Sequence, residues 1–121
     1  HFWAWSRPMI EGVGFVDRNF FPIYLDEADL CRRVHVARSE GWGGRWEKHP
    51  VDAWVAMVGH ATKLAGVEYD WPRSLTYYVR KWGGPSGQET FSRPFNDPTL
   101  PLSFWPAPPD PRAVMHEGWD A

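Results

Sequence analysis

Nine tryptophans have to find cover in a chain of 121 residues. An indole has a large apolar body and an N–H that needs an acceptor, so it favours half-buried positions and interfaces. A chain of this length builds one core and has no room for a second. Some of the rings must therefore anchor connecting segments or lie against other surface. Twelve prolines and eleven glycines tighten the constraint, because both residues interrupt regular elements and lengthen connections. The chain reads as short helices flanked by aromatic, irregular segments.

Three stretches carry helix signals. Asp26 is a natural N-cap, and Glu27 and Asp29 place negative charge where the helix dipole favours it. Leu30, Val34 and Ala37 then recur at i, i+4 and i+7 with Cys31 beside them. Asp29 and Arg33 are spaced to pair on the outer face, and Gly41 stands where a helix stops. A second helix opens at Pro50, with Val51, Trp54, Val55, Val58, Ala61 and Ala65 as its core stripe and Gly66 at its end. The third starts near Asp70, with Pro72 in its first turn. Leu75, Tyr78, Val79 and Trp82 form its stripe, and Gly83-Gly84-Pro85 stops it. The run Thr76–Val79 would also suit a strand, but the caps favour a helix.

The predicted fold class is mainly α: a small three-helix domain with extended, aromatic- and proline-rich N- and C-terminal arms. Residues 1–25 form the N-terminal arm, with room for a short strand over Gly14–Val16. Residues 26–84 form the helical domain. Residues 85–121 form an extended tail, in which Pro106-Ala107-Pro108-Pro109 suits polyproline II.

Few chemical motifs stand out. A formal net charge of −2 argues against a protein built to track a phosphate backbone, which calls for a basic stripe. No run of eighteen apolar residues exists, so no membrane-spanning helix is predicted. The single cysteine, Cys31, excludes an internal disulfide. It lies four residues from His35, the minimal spacing for an activated thiol or half a metal site. Its place beside the core stripe instead suggests a buried thiol acting as a small hydrophobe. The histidines His1, His35, His49, His60 and His116 show no metal-ligand spacing. Gly41-Trp42-Gly43-Gly44 and Gly83-Gly84-Pro85-Ser86-Gly87 lack the spacing of a phosphate loop and are simpler as helix stops. Arg73, Arg80 and Lys81, interleaved with Tyr77, Tyr78 and Trp82, make the best basic-aromatic patch, on which single-stranded bases could stack.

The leading expectation is a non-catalytic accessory or structural subunit of a larger protein assembly, for example a supernumerary subunit of a mitochondrial energy-converting complex. Its partners would be other protein subunits, and its anchors Trp3, Trp5, Arg80, Lys81, Trp82, Phe104, Trp105 and Trp119. No catalytic residue, metal ligand or cofactor is predicted. The opening at His1 rather than methionine suggests an imported, processed mitochondrial protein, with a virion or the cytoplasm as alternatives. Two other readings compete: a small histidine-dependent metal or hydrolytic enzyme using His35 or His60 with a carboxylate, and a single-stranded nucleic-acid accessory protein.

Overall fold

A computed structural model describes residues 5–20, 24–43 and 71–107. The protein is mainly helical, with three helices and no strand among these residues: α1 (Arg7–Val13), α2 (Asp26–Ser39) and α3 (Trp71–Trp82). Short 3₁₀ turns at Arg18–Phe20 and Pro94–Asn96 complete the regular structure of the described residues. The helix expected from Pro50 to Ala65 lies outside the described residues.

The segment expected to be an irregular arm contains α1. Ser6 caps it, its hydroxyl accepting from the Met9 amide, and proline occupies the first turn, where its missing N–H costs nothing. Met9 and Val13, four apart, bury one face against Leu30, Val34 and Ala37 of α2, with Trp5, Trp42 and Leu102 packed around them. The chain leaves α1 at Gly14, so the strand considered at Gly14–Val16 does not form. The signal was present in Ser6-Arg7-Pro8 followed by an i,i+4 apolar pair.

Helix α2 begins at Asp26, with Leu25 as the cap residue in the left-handed region at φ 71° and no side-chain cap bond. Leu25 is held there by packing on the aromatic cluster formed by Phe20, Tyr77, Tyr78 and Trp82. The C-terminus follows its signal closely. Gly41 has φ 95°, its N–H bonds the Arg38 carbonyl, and the Trp42 N–H reaches back to Ala37, which is a Schellman stop.

The buried arc of α2 is not purely apolar. Asp29 and Arg33 do pair, Nε to Oδ2 at 2.9 Å, but both side chains are fully buried. The expectation of an outer-face pair is therefore corrected. Arg33 lies three residues after Leu30 and four before Ala37, so it shares their face. Cys31 is exposed, and the expected buried thiol is also corrected, since its position falls outside the arc centred on Arg33.

Helix α3 forms where predicted, but rotated. Ser74, Tyr77, Tyr78, Lys81 and Trp82 are buried, whereas Val79 is exposed and Leu75 half-buried. What draws Lys81 and Tyr77 inward is polar: Asp17 on the α1–α2 connection and Asp29 on α2 supply their partners. From Gly83 the chain turns back, and the Thr90 and Phe91 amides both bond the Trp82 carbonyl. Residues 91–107 then pass over the helices. Arg32 donates to the Phe91 carbonyl at 2.7 Å, Phe95 meets Tyr77, and Leu102 touches both hydrophobic clusters.

Candidate functional site

The most concentrated chemistry lies between α2, α3 and the Arg18–Phe20 turn. Asp17 Oδ1 accepts from the Asn19 amide at 2.9 Å and from Asn19 Nδ2 at 2.8 Å. Its Oδ2 accepts from the Tyr77 hydroxyl at 2.7 Å and from Lys81 Nζ at 2.9 Å. Lys81 Nζ also sits 2.7 Å from Asp29 Oδ1, which accepts from the Trp82 indole at 2.8 Å. Asp29 Oδ2 takes Arg33 Nε, and Arg33 Nη1 donates to the Val13 carbonyl. Lys81 therefore joins two carboxylates from different parts of the chain, and Arg33 ties the end of α1 to α2.

Two anions and two cations make this set neutral. Buried charges persist only when paired and hydrogen-bonded, and each of the four carboxylate oxygens has at least one donor. Burial pushes the Tyr77 phenol far above its ordinary value of 10, and the Asp17 charge and hydrogen bond push it further. Tyr78 moves the same way, through burial first and then its bond to Glu89. Burial would raise Glu89 in turn, but the bonds it accepts from Tyr78 and the Gly87 amide outweigh that and bring it below the usual carboxylate range.

The network is closed. Asp17, Asp29, Arg33 and Lys81 are at most 1% exposed. Trp105 lies over Arg33 and Lys81, with its ring centre 5.6 and 5.8 Å from the two cations. Carboxylates so occupied and so sealed present no atom to a substrate. Their work is to fix three segments of chain against one another.

This geometry divides the expected partner-binding residues. Lys81 and Trp82 are fully buried and bonded to Asp17 and Asp29, so neither is a partner contact. Trp5 is half-buried against the apolar cluster and edge-on to Phe15 at 4.7 Å. Phe104 stands edge-on to Phe95, and Trp105 covers the network. Arg80 is exposed. Trp3 and Trp119 lie outside the described residues. The basic-aromatic patch is not assembled as a stacking surface, because Tyr77, Tyr78, Lys81 and Trp82 all face inward.

Two surface features remain. On the outer side of α2, Cys31, Val34, His35, Arg38 and Ser39 line a hollow of about 540 Å³. Cys31 and His35 thus share a face as their spacing implied, but no carboxylate joins them among the described residues lining it. No group of three histidine, cysteine or acidic side chains that could hold a metal occurs among the described residues. None of the described helices is long and apolar enough to cross a membrane.

The second feature is apolar. Tyr24 and Trp71 stack edge to face at 5.7 Å while remaining 41% and 45% exposed. Leu75 and Val79 lie four and eight residues beyond Trp71, on the same side of α3. Sequence reasoning missed this edge because it assigned Val79 to the core. Elsewhere Ile10 and Phe15 are also exposed. No protein-family model, curated protein or solved structure matches this chain.

Proposed function

We propose that this protein is a non-catalytic accessory or structural subunit that acts by binding other protein subunits. The observation that carries the reading is the exposed Tyr24–Trp71 pair, continued along α3 by Leu75 and Val79. Large aromatic side chains left half in water are the usual anchors of protein interfaces. The same reading is supported by the Asp17–Lys81–Asp29–Arg33 network, whose charged side chains are closed inside the fold. Residues 91–107 lie against their own helices through Asn19, Arg32 and Tyr77, so the support comes from this edge rather than from the tail. Multiprotein complexes that carry accessory subunits, mitochondrial energy-converting complexes among them, are a suitable setting.

The test is the size of the particle that contains the chain. In extracts of cells that make it, the protein is expected to elute far above its own 14.0 kDa. Tyr24→Ser with Trp71→Ser is expected to move it to low mass while the helical circular dichroism is kept. Elution of the unaltered chain at its own mass would overturn the reading.

A further inference from the structure

We infer that residues 101–107 form a displaceable strap, and that lifting it opens the buried Asp17–Lys81–Asp29–Arg33 network to water. The protein then has a closed and an open form.

The strap has little structure of its own. Its internal backbone bond runs from the Phe104 amide to the Pro101 carbonyl at 3.0 Å, and each residue from Leu102 to Pro106 is half-buried. Its attachments are side-chain contacts. Asn19 Nδ2 donates to the Pro106 carbonyl at 3.2 Å, and Trp105 covers both cations. Ser103 presses on Gly14 so closely that a Cβ there would lie 2.5 Å from the serine Cβ.

Beneath it the balance is close. Closure buries the Trp105 ring and gains its attraction to Arg33 and Lys81. Against that, charged groups lose hydration. Two polar atoms of residues that touch the strap, Arg33 Nη2 and Asn19 Oδ1, have no hydrogen-bond partner among the described residues. Water admitted by lifting would satisfy both. A segment held by few bonds over groups that favour water is where local opening occurs. Anything that binds the lifted strap shifts the population toward the open form by its preference for that form.

Acetylation of the Lys81 amine by an N-hydroxysuccinimide ester, read by mass spectrometry in the full chain, tests this. In the unaltered protein, Lys81 labelling is expected to vary little with urea below the unfolding transition. Trp105→Ala is expected to raise the rate at least tenfold with near-ultraviolet circular dichroism retained, and Trp105→Phe is expected to fall between. Should Trp105→Ala fail to fold, the urea dependence of the unaltered chain and the Phe variant decide. Labelling that follows only global unfolding, rising steeply with urea, would overturn the inference, as would a rate that neither substitution changes.

Discussion

The interior is built in two ways on the two sides of α2. Toward α1, Met9, Val13, Leu30, Val34 and Ala37 meet as apolar, non-aromatic side chains. Toward α3, Phe20, Tyr77, Tyr78 and Trp82 meet as rings, tied through their polar atoms to Asp17, Asp29 and Glu89. Hydrocarbon packing is non-directional and tolerates small rearrangement. The second region is held by donors and acceptors at fixed positions, and its energy depends on all of them being present. The first region supplies burial, while the second sets the rotation of α3 about its axis.

The largest expected effect belongs to the second region. Lys81→Met leaves Asp17 and Asp29 buried without the cation between them. A loss of about 3–5 kcal/mol in urea unfolding is expected, the range for breaking a buried pair. Adding Asp17→Asn should recover part of that loss, with a coupling of about 1 kcal/mol or more in the double-mutant cycle. Strict additivity would show that the two regions respond alike.

A smaller effect is expected from Leu30→Ala in the apolar region. Such truncations cost about 2–5 kcal/mol, and this one should fall near the lower end. Leu30 borders a small hollow shared with Trp5, Val16, Asp26 and Glu27, so neighbours have room to settle. Its effect should also add to that of distant substitutions.

Alkali should distinguish the regions without any mutation. Tyr77 and Tyr78 hold their protons above the ordinary value of 10. Their folded values are raised, so the stability they contribute is complete below about pH 10, where unfolded phenols begin to ionise. It is lost as pH rises further, because the unfolded chain releases protons that the folded one keeps. The phenolate absorbance of these two residues near 295 nm should therefore appear together with unfolding. Tyr77→Phe should remove part of this alkaline sensitivity.

The smallest effect belongs to neither region. Arg93 and Glu40 form a forked pair, Nη2 to Oε2 at 2.9 Å, at the surface. Glu40→Gln should cost about 0.5 kcal/mol or less, a difference that thermal unfolding in low and high salt can resolve.

The helix boundaries were legible in the sequence because local rules set them. Gly41, Pro72 and Gly83 each do locally what their chemistry favours, whereas Asp26, expected as the N-cap, is instead the first helical residue behind Leu25, and no side-chain cap bond forms there. Ser6 and Pro8 announced α1 in the same terms, though the surrounding aromatic residues drew attention away. The buried faces were less legible. An i,i+4 Asp–Arg pair is ordinarily a surface feature, and Lys81 near a helix C-terminus ordinarily faces water. What turned them inward was Asp17, separated from Lys81 by sixty-four positions, and no periodicity within one helix reports a partner so distant. Position alone did hold one clue, since Arg33 falls between Leu30 and Ala37 on the same side of α2. The exposed Tyr24–Trp71 edge was hidden for the complementary reason: once α3 turns to bring Lys81 inside, Val79 must turn out.

The neutrality of the sealed network has a consequence for how this protein can change over generations. No one of Asp17, Asp29, Arg33 and Lys81 can be exchanged for an uncharged residue without leaving the buried set with an unbalanced charge. An isolated replacement must therefore be unfavourable even where a paired one is harmless. Lineages descending from such a chain should lose or keep these positions as matched couples, and a descendant with hydrocarbon at all four could retain the same helices.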